Sequence, residues 1–256
     1  MKFTYKDYSN FINLRKQEGF LFPTFSNFMP SLEKQIIIRH DVDVSIEKAL
    51  ILARIEHDLN ISSTFFFLVS TNFYNVLSSD SKSKLSEIAS YGHEIGLHFD
   101  ETQYNIQNEE EFYRHLLFEK VILEKAIGSK VKSFSNHRPS KFVLNGLSDN
   151  KIDMFNAYGK TFFVDSKYLS DSRMIWREDI DLALANPDYK NYQIGIHPFW
   201  YSDTKESPRQ KFNEYFRQNL ISIYRNLYDN NSNFSEIISE DQIMDAVSRF
   251  MKEDKI

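Results

Sequence analysis

The chain has no cysteine among its 256 residues, which removes disulfides, thiolate zinc sites and cysteine nucleophiles together. Any metal centre must then be built from nitrogen and oxygen, that is from His, Asp and Glu. An excess of positive charge is also missing: 31 Lys and Arg face 36 Asp and Glu, for a net charge of −5. With no basic face, nucleic acid and anionic membrane surfaces are not expected as partners, and binding specificity falls to a local site. No segment approaches the length of a membrane span, and the opening Met1-Lys2-Phe3-Thr4-Tyr5-Lys6-Asp7-Tyr8 lacks the apolar core of a secretory signal. The expectation is a cytoplasmic protein. Neither an internal repeat nor a linker divides the sequence, so one domain over residues 1–256 is expected, a length that also fits a single α/β barrel. Aromatic residues, by contrast, are plentiful at 15%, with 23 Phe and 14 Tyr. They can supply sugar-stacking faces as well as core, although most rings are core by default.

The most informative stretch is Ile36-Ile37-Ile38-Arg39-His40-Asp41-Val42-Asp43, an apolar run that reads as a buried strand and ends in two carboxylates one residue apart. Alternation along an extended chain points Asp41 and Asp43 to the same side, where their charges would crowd unless a cation or a shared proton relieved them. A solvated strand end, with Asp43 or Ser45 capping the next helix, is the simpler alternative. From Ser45 to Leu59 the residues Ile46, Ala49, Leu50 and Ala53 share one helical face, and Thr64 to Val69 is a further apolar strand. Strand, helix and strand make a βαβ unit with parallel strands, their carboxyl ends on one rim. The pattern continues with a helix over 82–91 closed by Gly92, a strand over 94–98, a helix over 109–127 closed by Gly128, and a strand over 131–135. Further strands are expected at 161–164 and 193–197, with loops at the Ser-rich 78–86 and the Asn-rich 229–233. From Pro208 to about 228, Phe212, Phe216, Leu220, Ile223 and Leu227 recur at helical spacing and should pack one face on the body.

Four motifs follow predicted strands and so fall on one rim: Arg39-His40-Asp41-Val42-Asp43, the run Gly92 to Asp100 with His93 and His98, Ser135-Asn136-His137-Arg138-Pro139, and Ile194-Gly195-Ile196-His197-Pro198. In order and character they resemble the polysaccharide deacetylases of carbohydrate esterase family 4 over about residues 36–200. That resemblance implies an α/β fold, a distorted (β/α) barrel, and removal of N- or O-acetyl groups from sugars. It makes Asp41 the general base, Asp43 a metal ligand and His98 the first metal histidine. Thr102 stands where the family has its second metal histidine, so a different third ligand is needed. His137 is the choice, since three protein ligands plus water suit a catalytic zinc ion, with Asp100 and Glu101 as rivals. Arg138 would pair with the base and hold it ionised. His197 is placed as the general acid, oriented by Asp171, with Asp165 a close second. Trp176 would line the groove, and Phe199 and Trp200, with Pro198 and Tyr201, would form an aromatic wall. His93 and His40 are read as supporting residues, His40 facing away from Asp41, and His57 and His115 as solvent-facing.

The expected function is therefore metal-dependent hydrolysis, with Zn2+, of an acetyl group on a sugar. The lack of a signal favours a glycan precursor, such as a nucleotide-linked or lipid-linked sugar of a surface glycan. Cleavage of a different amide is a second enzymatic reading. The residue at Thr102 also opens a non-catalytic carbohydrate-binding protein on the same barrel. Iron in a two-histidine, one-carboxylate site has the right ligand types but explains neither Asp41 nor His197.

Overall fold

Strand β1 covers Gln35–Val42 and is buried along its whole length, as its unbroken apolar start requires. The computed structural model describes residues 1–30, 33–145, 147, 151–231 and 233–253. Ahead of β1 lies helix α1 (Tyr5–Gln17), capped by Thr4. After it come α2 (Ile46–Asp58), β2 (Thr64–Leu68), α3 (Ser79–Ser90), β3 (Glu94–Phe99), α4 (Glu109–Ile127), β4 (Ser133–Asn136) and the short α5 (Lys141–Leu144). Strands β5 (Phe155–Asn156) and β6 (Lys167–Ser170), helix α6 (Ile180–Leu184) and strand β7 (Asn191–Ile196) follow. The strands form one sheet in the order β5-β4-β3-β2-β1-β7-β6, every pair parallel. No ladder joins β5 to β6 among the described residues, so the sheet is a distorted (β/α) barrel left open along one seam.

Period-two alternation sorts the side chains. On the outward face, Val42, Phe65, Phe67, Leu97 and Phe134 pack against α2, α3 and α4, and Ile36, Ile38, Ile194 and Ile196 pack against α1, α2 and α6. Inside, Ile37 and Phe66 meet Phe25, Phe28, Ala157 and Phe162 in a smaller apolar plug. The plug needs Gly96: a Cβ there would sit 2.4 Å from the Phe66 ring.

Behind β1, on the face away from Asp41, the carboxylate of Glu56 is fully buried. Its Oε1 lies 2.8 Å from His40 Nε2 and also accepts from the Tyr8 hydroxyl, while Oε2 accepts from Ser63 Oγ at 2.6 Å. His93 joins through Nδ1, which accepts from the Ser63 backbone N–H at 3.2 Å, and its Nε2 lies 3.0 Å from the Ala53 carbonyl. Burial pushes the Glu56 pKa up, but His40 outweighs it and holds the group below the usual carboxylate range. His40 and His93 are thus partners in one buried network that ties α1, β1 and α2 together.

Several expectations shift. The strand expected at 161–164 is a π-helical turn over Lys160–Val164, and the strand lies six residues on, where Lys167–Ser170 matches the register of β7. The Ser-rich stretch is not a loop: Ser78 caps α3, and the serines after it form the first turns of the helix. Helix α1 was not expected. His57 is exposed, whereas His115 is half-buried and stacks on Tyr104 at 4.2 Å. The chain falls into two compact units, Met1–Asp203 and Thr204–Ile256. The second contains α7 (Pro208–Asn230), α8 (Phe234–Ile237) and α9 (Glu240–Glu253), with α7 packing on α9. Among the described residues no helix is long and apolar enough to cross a membrane.

Two outcomes follow for stability. Gly96→Ala lowers it by about 1–3 kcal/mol, read from urea midpoints, because the Phe66 ring cannot move without disturbing the plug. Glu56→Ala costs about 3–5 kcal/mol at neutral pH, as expected for a broken buried pair. A carboxylate whose folded pKa is depressed stabilises above its unfolded value, so the gap between wild type and variant narrows as pH falls below about 4.3. A gap independent of pH contradicts the assignment.

Candidate active site

The chemistry-bearing side chains come from the carboxyl ends of different strands. Asp41 lies near the end of β1 and Asp43 just past it, His98 is in β3, His137 follows β4, Asp171 follows β6 and His197 follows β7. Alternation along β1 turns Arg39, Asp41 and Asp43 inward and His40 outward. His98 pairs in register with Ser135, one strand over, which sets His137 beside it on the rim. Their rings meet edge to face at 5.0 Å.

Asp43, His98 and His137 converge. His98 Nε2 and His137 Nδ1 each lie 3.1 Å from Asp43 Oδ1, and the ligand atoms of all three residues fall within 4.8 Å of one another. His98 Nδ1 lies 3.0 Å from the Ser135 carbonyl, an acceptor, so this nitrogen donates, and Nε2, which faces Asp43 Oδ1, is the atom that would ligate a cation on giving up its proton. Burial pushes the Asp43 pKa up, yet hydrogen bonds with His137 and His98 outweigh it and hold the group well below the usual range. Two imidazole nitrogens and one carboxylate oxygen are a fitting set for a catalytic zinc ion that keeps a position open. The rivals for the third place are engaged elsewhere. Asp100 accepts from Arg138 at 2.7 Å and from the Thr102 hydroxyl at 2.7 Å, and Glu101 accepts from the Ser140 backbone N–H at 2.7 Å.

Asp41 is buried beside this cluster. Arg39 Nη2 donates to its Oδ2 at 2.9 Å, and the Ser135 hydroxyl approaches Oδ1 at 3.4 Å. Burial raises the Asp41 pKa, but the Arg39 guanidinium, with His98 and His197, more than reverses it and keeps the carboxylate ionised. Arg138 was expected in that role, and the structure places it elsewhere: its side chain is 63% exposed and is paired with Asp100. The geometric cause is position, since Arg138 stands in the loop past β4 with φ at +51°, whereas Arg39 shares the inner face of β1 with Asp41. Sequence reasoning missed Arg39, although the same alternation that joined Asp41 to Asp43 includes it.

His197 Nδ1 lies 2.6 Å from Asp171 Oδ1, and the His197 backbone N–H donates to the same carboxylate at 3.0 Å. Its Nε2 faces the cluster, 3.9 Å from Asp43 Oδ2. Burial lowers the His197 pKa, but the buried Asp171 prevails and lifts it to about 9, so the ring holds its proton at neutral pH. Asp165 is not involved: it is exposed and paired with Lys160. The aromatic assignments change too. Trp176 and Trp200 pack against the outer apolar cluster around α1 and β7, and Phe199 is buried with Trp200 edge-on at 5.1 Å. The rings that reach the inner polar network are instead Tyr158 and Tyr168, whose hydroxyls meet Arg39.

No family model and no curated protein matches the chain. Among solved structures it is similar to the CE4 domain of a multidomain xylanase from the hindgut metagenome of Trinervitermes trinervoides, at 18% identity over 80% of this chain and 90% of that one, with a TM-score of 0.42. A family 4 carbohydrate esterase from Bacillus anthracis aligns at 16% identity over 73% of this chain and 76% of its own, with a TM-score of 0.44. A CE4 family pseudoenzyme from the same organism aligns at 15% identity over 75% and 66%, with a TM-score of 0.43. Likenesses this remote assign no role to any residue of this chain.

Zinc titration of chelator-treated protein by calorimetry should show one equivalent bound. His98→Ala and His137→Ala should each weaken it by more than the about 10–100-fold that loss of an outer hydrogen-bond partner costs. Unchanged affinity in both variants would remove the site.

Proposed function

We propose that the chain is a metal-dependent hydrolase that removes an acetyl group from a sugar or glycan precursor. One observation carries the reading: a two-histidine, one-aspartate cluster flanked by Asp41, which Arg39 holds and which does not belong to it, and by His197, anchored on Asp171. A divalent cation, Zn2+ by its donor set, would be held by Asp43, His98 and His137 and would supply Lewis acidity for activating water and polarising an acyl oxygen.

The remaining work falls to the chain's own groups. Asp41, fixed through Oδ2, accepts the proton of the attacking water as general base. His197, its Nδ1 anchored on Asp171, donates from Nε2 to the departing amine or alkoxide. Base and acid therefore need opposite protonation states at one pH, and their surroundings supply them: Arg39 keeps Asp41 charged, and Asp171 keeps His197 charged. The amide-versus-ester choice and the sugar are decided by the rim.

The test is acetate release from N-acetylated and O-acetylated oligosaccharides by protein stripped with a chelator and then reloaded with zinc. Activity should vanish on stripping and return on reloading. Asp41→Asn and His197→Gln should each lower kcat by about 100-fold or more. Acetate release indifferent to chelation, or undiminished in Asp41→Asn, would defeat the proposal, and sugar binding without turnover would point to a binding protein.

A further inference from the structure

Arg39 is 1% exposed and lies in the barrel interior, one step of strand alternation below Asp41. Both of its terminal nitrogens are engaged. Nη2 donates to Asp41 Oδ2 at 2.9 Å and lies 2.9 Å from the Tyr158 hydroxyl and 3.3 Å from the Tyr168 hydroxyl, and Nη1 donates to Gln193 Oε1 at 3.1 Å. The charge also faces both tyrosine rings, at 4.8 Å and 5.2 Å from their centroids. Gln193 Nε2 in turn donates to the carbonyls of Ala157 and Phe162 at 3.0 Å and 2.7 Å. Room for the arrangement comes from Gly195, where a Cβ would lie 3.1 Å from the Tyr168 hydroxyl and 3.5 Å from Arg39 Nε.

The tyrosines come from the two edges of the sheet. Tyr158 follows β5 and Tyr168 belongs to β6, the strands between which no ladder runs among the described residues. Across that seam, side chains converging on Arg39 do what backbone hydrogen bonds do elsewhere in the barrel. The same guanidinium takes Oδ2 of Asp41 and leaves Oδ1, with the Ser135 hydroxyl at a long 3.4 Å, as the oxygen able to accept a proton. An arginine bonded in a planar fork to several fixed partners has little freedom to turn, so it transmits their positions to the carboxylate it holds.

We propose that Arg39 is the positioning residue of Asp41, and that Tyr158 and Tyr168 hold it in that role, so that closure of the β5–β6 seam fixes the direction of the base. This rests on the reading of Asp41 as general base. Arg138 cannot substitute, being paired with Asp100 on the exposed rim.

The test compares zinc-loaded wild type with Arg39→Lys and with the double variant Tyr158→Phe, Tyr168→Phe, which keeps both rings and removes both hydroxyls. A base displaced by about 1 Å can cost about 100-fold in rate. Arg39→Lys, which keeps the charge and loses the fork, is expected to fall by about that factor in kcat, and the double variant by at least about 10-fold. KM should stay within about twofold and zinc stoichiometry should not change. A purely structural role would instead lower the melting temperature and leave kcat per zinc-loaded molecule intact, which overturns the inference. Crystal structures of the wild type and the double variant give a readout free of turnover: the Asp41 carboxylate is expected to rotate when the hydroxyls are lost. If the wild type releases no acetate, the hydrolase reading fails, and the crystal structures alone decide the positioning. An Asp41 unmoved in the double variant overturns it.

Discussion

Strand β1 turns Arg39, Asp41 and Asp43 into the barrel, and two carboxylates so close together inside a protein must be balanced by positive charge or by protons. The surrounding residues divide that task. Arg39 meets Asp41 from below, His98 and His137 meet Asp43 from β3 and the end of β4, and His197 approaches from the end of β7. Because the three histidines come from three different strands, their share of the charge balance exists only when the parallel register is correct, whereas Arg39 and Asp41 share β1. The fold and the chemistry are therefore one constraint seen at two scales.

The outer face of the same strand carries a second charge problem with a different solution. His40 is adjacent to Asp41 in sequence but on the opposite side of the sheet, where it meets Glu56 in a network closed to solvent. The inner face gathers ligand atoms of Asp43, His98 and His137 within reach of one another, while on the outer face His40 and Glu56 join β1 to α2. Strand alternation alone separates a site from a structural anchor one residue apart.

Much of this was legible in the sequence, and the failures have physical causes. The α4 helix matched residue for residue because both its ends are signalled, by the Asn108 side chain accepting from Glu111 N–H and by Gly128 in the left-handed region at φ +71°. The β1 carboxylates, His98, His137 and the His197–Asp171 pair could be found because parallel strands deliver their ends to one rim. Where local pattern and tertiary packing disagreed, packing won. The apolar Phe162-Phe163-Val164 turns instead of extending, with Phe162 buried in the plug, and the adjacent Lys167–Ser170 takes the place beside β7. Arg138 was chosen by motif, and no pattern in the sequence could show that Asp100 would claim it. Arg39 needed only the alternation already applied to its neighbours.

The central claim is that Asp43, His98 and His137 surround one divalent cation beside an Asp41 that does not touch it. X-ray absorption at the zinc edge on the zinc-loaded protein tests this most directly when wild type is compared with Asp43→Ala and Asp41→Ala. The account predicts a nitrogen and oxygen shell with two imidazoles at about 2.0–2.1 Å, altered by loss of Asp43 and unaltered by loss of Asp41. A spectrum lacking the imidazole signature, or one that changes with Asp41 and not with Asp43, would contradict it.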